Sequence, residues 1–342
     1  MSKPKSNYIC KECGYSSTQF LGKCPNCMSW DSFDQVISSK KGTTKKTTET
    51  FSFQINSNSQ EKRISLGLSE VDRVFGGGVV VGSVNLIGGE PGIGKSTLML
   101  EVACAYSKKG HKSLYISGEE SPDQVTMRAN RIGSVGELME FAFEVDLETI
   151  FQLSDDNKPD VLFIDSIQIL SLEEGIPGSP SVVREATRRI VEYSKSNNIT
   201  TFIIGHVTKE GTIAGPKTLE HLVDAVSYLN GDKYSTLRIL SGTKNRFGAT
   251  NEVGLMEMTE KGLVKADHHK LISTNENPGV AVTAVSMGNR PLALEVQALL
   301  SPTYYPTPKH CCHRLQFEQN LDDQRQYSRK DVVCQLASWM LL

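Results

Sequence analysis

No apolar run in this 342-residue chain approaches the length a helix needs to cross a bilayer, and no N-terminal segment has the form of an export signal. The expectation is a soluble protein with no membrane partner, cytoplasmic or nucleoid-associated in a bacterial-type cell. Large net charge is also missing. At −2, the chain has no bulk attraction for a polyanion, so any nucleic-acid contact must come from local basic patches. Aromatic residues are sparse at 7%, with only two tryptophans, and no segment repeats. The eight cysteines are not spread as a disulfide framework would be. Four cluster near the N-terminus at metal-ligand spacing, which fits a reducing compartment. An apolar share of 38% and a charged share of 22% remain compatible with a globular core, and the length allows roughly two domains.

The stretch that is unmistakably present is Gly89-Glu90-Pro91-Gly92-Ile93-Gly94-Lys95-Ser96, followed by Thr97. A glycine, four free positions and then Gly-Lys-Ser is the phosphate-binding P-loop pattern. An apolar run from Ser83 to Gly88 precedes it and an amphipathic segment to Lys108 follows, the strand–loop–helix context the chemistry requires. Glycines let backbone N–H groups converge on phosphate oxygens, and the helix N-terminus adds partial positive charge. Lys95 is expected to bridge the β- and γ-phosphates of a nucleoside triphosphate, and Ser96 to hold Mg²⁺.

Cys10-x-x-Cys13 and Cys24-x-x-Cys27 place four thiolates within reach of one tetrahedral Zn²⁺. About thirty residues cannot build a stable core, so the metal would supply the folding energy. A redox role for one Cys pair is the other reading. Trp30 and Phe33 are expected to cap this ribbon, with base stacking by an exposed Trp30 as the alternative. From Ser38 to Gln60 the composition turns to Ser, Thr, Lys, Asn and Gln, as in a flexible linker, made mildly basic by Lys40, Lys41, Lys45 and Lys46.

Order resumes near Ile64. Strand-like segments at Ser113–Ser117, Val161–Asp165 and Thr200–Gly205 alternate with helical ones at Ser121–Arg131, Glu148–Asn157 and Ser181–Ser196. That alternation indicates an α/β fold with a mostly parallel sheet. Val223–Leu229 and Leu237–Leu240 read as antiparallel additions at its edge.

Asp165 ends an apolar strand, the context of a Walker B carboxylate that serves the Mg²⁺ shell; a helix N-cap is the bland alternative. Glu119 and Glu120 also follow a strand, and Glu119 is the preferred water-polarising base, with Glu120 its rival. His206 could hydrogen-bond the γ-phosphate and report its loss to a polar loop reaching Lys217, or be an ordinary loop histidine. Lys244-Asn245-Arg246-Phe247-Gly248 has three readings: fingers inserted into a neighbouring subunit's nucleotide site, a phosphate-backbone contact, or a basic hairpin tip.

Taken together, these residues resemble the RadA/Sms DNA repair family. The four-cysteine ribbon, the linker and the P-loop come in the family's order. Ser-Gly-Glu-Glu-Ser, Ile-Asp-Ser-Ile-Gln, Gly-His-Val-Thr-Lys-Glu-Gly and the signature Lys-Asn-Arg-Phe-Gly follow. The resemblance covers about Tyr8 to Val264, and more loosely Val280 to Pro302. It implies a RecA-like P-loop ATPase that forms a hexameric ring, hydrolyses ATP on single-stranded DNA and extends branched DNA intermediates alongside RecA recombinase. It also implies finger roles for Lys244 and Arg246 across subunits, and DNA-facing loops at Glu173–Arg184 and Thr208–Lys217.

The implied division is a C4 zinc ribbon at 1–36, a linker at 37–63, the RecA-like domain at 64–267 and a partial Lon-protease-like α+β segment at 268–342. Gly288–Leu292 and Glu295–Leu299 match the opening of that last domain, but after about Lys309 the pattern is lost, as in a truncated or frame-shifted end. A second metal site at Cys311, Cys312 and His313 is an alternative there. Two other functional classes stay open: a nucleotide-gated regulatory ring of the clock type, and a non-motor binding module. A protease is disfavoured because the Lon-like segment is too short for a catalytic dyad.

Overall fold

The computed structural model describes residues 7–10, 15–36, 63–133, 135–206, 219–231, 235–266, 280–301, 311–312 and 333–337. Strands β1 (Asn7–Cys10), β2 (Ser16–Ser17) and β3 (Phe33–Val36) form the N-terminal ribbon, antiparallel in the order β2-β1-β3. Cys10, Cys24 and Phe33 fill its interior. Trp30 does not join them: it is 74% exposed, whereas Phe33 is 6% exposed. The expected capping by both aromatics therefore holds for Phe33 alone; Tyr8 and Leu21 pack beside it instead.

The larger body begins with β4 (Arg63–Ile64), α1 (Ser69–Val74) and β5 (Val79–Val80), the two strands pairing with each other. Then come β6 (Val84–Gly89), α2 (Lys95–Lys108), β7 (Ser113–Ser117), α3 (Pro122–Ile132), β8 (Met139–Phe143), α4 (Leu147–Asn157) and β9 (Val161–Asp165). A 3₁₀ turn at Ile167–Ile169 leads to α5 (Pro180–Asn197) and β10 (Thr200–His206). Helix starts obey local chemistry. Ser121 and Gln124 form a reciprocal capping box with Pro122 at the first helical position, and Asp146 caps α4 through the Thr149 N–H.

The sheet continues with β11 (Ala225–Asn230), β12 (Leu237–Asn245), β13 (Val253–Thr259) and β14 (Gly262–Lys265), in the order β14-β13-β12-β11-β6-β10-β9-β7-β8. β6 through β10 pair in parallel, as the alternation required. β11 departs from expectation: it pairs with β6 in parallel, and antiparallel pairing starts only at β12. The connection from His206 to Ala225 is long enough to return to the opposite end of the sheet, which parallel entry needs. β8, an outer strand, carried no clear sequence signal.

Successive residues in the central strands face opposite sides. Phe163 and Phe202 stack with Leu98 and Val102 in one apolar cluster, while Leu162 and Ile203 join Ile150 and Ile190 in the other. Each face of the sheet is thus sealed by helices.

From residue 280 on, the described residues form four strands and the turn between the first two: β15 (Val280–Met287), β16 (Arg290–Ser301), β17 (Cys311–Cys312) and β18 (Val333–Ala337), in the order β15-β16-β18-β17. The β15–β16 turn docks on the larger body. The Asn289 N–H donates to the Asn251 carbonyl at 2.9 Å, and Arg290 Nη1 reaches Glu70 Oε2 at 2.5 Å. Glu70 is buried and also accepts the Leu255 N–H. Burial alone would raise its carboxyl pKa, but Arg290 and the Leu255 N–H bring it below the ordinary value. No helix among the described residues is long and apolar enough to cross a membrane.

Candidate active site

Four strands end at one edge of the sheet, and their last residues meet there. His206 lies opposite Gly89 in the β10–β6 register, and Asp165 lies opposite Ser117 in β9–β7. In a parallel sheet this is the edge where helices begin and ligands bind.

The P-loop occupies that edge. Gly89 has φ +155°, and a Cβ there would lie 2.6 Å from the Leu229 carbonyl oxygen. Gly94 has φ +112° and stands at the N-cap of α2 with no side-chain cap. The first N–H groups of α2 are therefore left to an external acceptor, which is the condition for holding a phosphate. Glu90, Pro91 and Gly92 are exposed, while Ile93 tucks into the core and Thr97 is buried in the first turn. Lys95 Nζ donates to the carbonyls of Gly89 and Glu90, each at 2.9 Å, which folds the ammonium over the loop. Burial pushes Lys95 down to about 8, opposed by Asp165 and Glu119.

Asp165 is buried, and its Oδ2 accepts the Tyr115 hydroxyl at 2.8 Å. Its Oδ1 is buried without a hydrogen-bond partner. Burial raises the Asp165 carboxyl, while the Ser96 and Tyr115 hydroxyls counter the shift. An orphaned carboxylate oxygen beside a serine hydroxyl is a hard oxygen donor set that suits Mg²⁺. The peptide after Asp165 is cis.

Glu119 accepts the Ser166 hydroxyl and contacts His206 Nε2 at 3.2 Å. Its carboxyl is held down to about 2, first by the His206 hydrogen bond and then by Ser166, against the opposing effect of burial. Glu120 turns elsewhere: it forms an ion pair with Arg128 of α3. Of the two rivals, only Glu119 belongs to the Lys95–Asp165–His206 group. His206 Nδ1 is buried without a partner, and its carbonyl accepts from Gln168 Nε2 at 3.4 Å. Lys217 and the loop at 207–218 lie outside the described residues.

Sequence reasoning overlooked Tyr115, Ser166 and Gln168. The last two follow Asp165 within five residues, a usable signal. Tyr115 gave none, because every residue of β7 is buried and neither face is marked by polarity.

Lys244 and Arg246 are not part of this group. Asn245 at the end of β12 pairs with Ala225, which pairs with Asn85 near the start of β6. Gly89 is four residues further, about 13 Å of strand, so both cations sit at the opposite end of the sheet. Lys244 Nζ donates to the carbonyls of Glu220 (2.6 Å) and Val223 (2.9 Å), and burial lowers its pKa. Arg246 Nη1 meets the buried Asp224 at 3.0 Å, a carboxylate shared with Lys195 at 3.1 Å.

In the ribbon, the Sγ atoms of Cys10, Cys24 and Cys27 lie within 4.8 Å of one another, and Cys10 and Cys27 are 3.6 Å apart. Converging thiols of this kind fit tetrahedral Zn²⁺. Cys13 lies outside the described residues, as does His313; Cys311 and Cys312 are described in their backbone alone.

Comparison with known proteins agrees with this layout. A rubredoxin metal-binding domain model, of the LapB zinc-ribbon type, matches residues 8–35, and the KaiC ATPase model matches residues 64–141. The DNA repair protein RadA of Streptococcus pyogenes serotype M6 is 42% identical over 331 residues, spanning 93% of this chain and 73% of that protein. RadA of Bacillus subtilis strain 168 is 42% identical over 324 residues, and RadA of Aquifex aeolicus 42% over 316; each match spans 90% of this chain and 71% of the relative.

Proposed function

Because this chain belongs to the RadA family of DNA repair proteins, with a zinc ribbon and a KaiC-like ATPase domain, we propose that it is a DNA-stimulated ATP hydrolase. In this reading it moves on single-stranded DNA and extends branched recombination intermediates together with RecA recombinase. The observation that carries the proposal is the meeting of Lys95, Asp165, Glu119 and His206 at the edge where α2 begins with uncapped N–H groups.

The α2 N–H groups and Lys95 hold the triphosphate, Lys95 leaving its own loop carbonyls as it swings to the outer phosphates. Ser96 and Asp165 would hold Mg²⁺, which when bound neutralises charge on the phosphates. Glu119, fully ionised at neutral pH, orients and polarises the attacking water. His206, hydrogen-bonded to Glu119, carries the state of the site toward the loop that follows β10. Lys244 and Arg246 act on a neighbour's nucleotide, since they stand far from their own P-loop. That geometry favours a ring, a hexamer by family resemblance, and Zn²⁺ sits in the Cys10, Cys13, Cys24 and Cys27 ribbon.

The test is the ATPase rate with and without single-stranded DNA, run beside a mass measurement in ATP and Mg²⁺. Stimulation by DNA in a multi-subunit assembly supports the motor. An assembly with no stimulation returns the clock-type regulatory reading, and a strict monomer returns the non-motor module. Lys95→Ala should abolish turnover in every case.

A further inference from the structure

Among the described residues, Trp30 takes no part in the ribbon interior. That interior is made by Cys10, Cys24 and Phe33 with Tyr8, Leu21 and Cys27 packed against them, while the larger indole stands 74% exposed. A single exposed apolar side chain is ordinary, but this small ribbon exposes three aromatic rings, of which Trp30 is the largest and the most exposed. Nor does it hang from a loose loop. The Cys24 N–H donates to the Ser29 carbonyl, the Met28 N–H to Cys24 and the Asp31 N–H to Gly22, each at 2.9 Å. Lys23 bridges to Trp30 through the backbone, and its ammonium lies 5.3 Å from the indole centroid. Phe20 and Tyr15, 55% and 41% exposed, add aromatic surface to the same ribbon.

The charge distribution says what such a surface would meet. Residues 1–60 hold eight lysines against four carboxylates, although the whole chain has a net charge of −2. Most of that excess lies in residues 37–60, where four lysines face one carboxylate, directly after a ribbon that is close to neutral. Aromatic faces for bases beside cations for phosphates are the two requirements of single-strand recognition, and base stacking is available only where bases are unpaired.

We propose that the ribbon is a single-stranded DNA contact in its own right, in which the exposed indole of Trp30 stacks on a base and Lys23 meets the adjacent phosphate. The contact is separate from the nucleotide edge, and it rests on the reading of the chain as a DNA-acting protein. It makes the ribbon a stacking platform rather than only a metal-folded spacer.

The chain has one other tryptophan, Trp339, so the zinc-loaded full-length Trp339→Phe variant reports on Trp30 alone. Titration with an oligothymidylate should quench its fluorescence saturably, with salt dependence. The same strand annealed to oligodeoxyadenylate should quench far less. Trp30→Ala should weaken oligothymidylate binding about 5- to 100-fold, and Trp30→Phe should restore most of it, with zinc content unchanged in both. If the wild-type chain binds the oligonucleotide but Trp30 is neither quenched nor needed, the ribbon contact is wrong and the DNA reading stands. If polyglutamate quenches equally well, the surface reads charge only and the stacking proposal fails. If the wild-type chain does not bind single strands at all, both readings fall.

Discussion

The buried Tyr115 hydroxyl on β7 donates to Asp165 Oδ2 on the neighbouring β9 at 2.8 Å, and the other carboxylate oxygen has no partner. One oxygen is fixed by the protein, and the other is the one that a bound Mg²⁺ would meet. Removing the hydroxyl with Tyr115→Phe keeps the stacking against Phe141 and Phe163 and loses a hydrogen bond to a charged group, worth about 1.5–3 kcal/mol. ATP turnover should fall and more Mg²⁺ should be needed for half-maximal rate, while nucleotide binding without Mg²⁺ stays unchanged. An unaltered Mg²⁺ requirement would show that Tyr115 does not position Asp165.

Glu119 and Glu120 are adjacent in sequence but not in partners. Glu119→Gln should reduce hydrolysis by about 10²- to 10⁴-fold, the usual contribution of a general base. Glu120→Gln removes a partly exposed ion pair with Arg128, worth roughly 0–1 kcal/mol, and should leave turnover within a few-fold of wild type. Steady-state rates of the two variants, compared side by side, decide the assignment; the reverse ranking would make Glu120 the base.

Arg246→Ala should spare nucleotide binding, because Arg246 is remote from its own P-loop and Lys195 still neutralises Asp224. A finger completing a neighbour's site is worth about 10³-fold or more in rate. Mixing Arg246→Ala with Lys95→Ala chains should restore part of the activity if the two act across an interface. Without any recovery, the action is not in trans.

Glu101 on α2 accepts the Leu263 N–H through Oε1 at 2.6 Å, while its buried Oε2 has no partner. Burial raises this carboxyl to about 7 from 4.5. The folded chain therefore binds more protons than the unfolded one between those values. The associated stability is present below pH 4.5 and is lost as pH rises through 7. Glu101→Gln keeps an acceptor for Leu263 and removes the buried charge. It should melt higher than wild type at pH 8, with the advantage shrinking toward pH 5. The difference is on the order of 3 kcal/mol at most. Thermal unfolding at both pH values measures it, and a pH-independent difference would contradict the assignment.

Cys24→Ser should release the ribbon's zinc and unfold residues 7–36 without disturbing the larger body, whose core shares no residue with the ribbon. Metal analysis together with proteolysis of the N-terminal segment checks both halves of that statement.

The P-loop was readable because its chemistry is local: every residue that cradles a phosphate lies within nine consecutive positions. The cysteine knuckles were readable for the same reason. β11 was not, since Ala225–Asn230 looks alike in either direction and only the course of the chain before it decides parallel pairing. Tyr115 was hidden because a strand buried on both faces carries no polarity to mark which side meets Asp165. The exposure of Trp30 is not legible from residue type, since Phe33 three positions later is buried among the thiols while the indole is not.

The Arg290–Glu70 pair bears on how this protein can be dissected. Ending the chain near residue 267, where sequence would place the border of the ATPase unit, deletes the close cation and leaves a carboxylate that is only 3% exposed with the Leu255 N–H and the exposed Lys265 ammonium, 3.9 Å away. Leaving one member of a buried ion pair behind typically costs 3–5 kcal/mol, a large part of what holds any domain folded. A shortened enzyme meant for assay should therefore run at least through Leu292, which packs with Val253 and Leu255 beside that pair. One shortened further would need Glu70 replaced by a neutral residue.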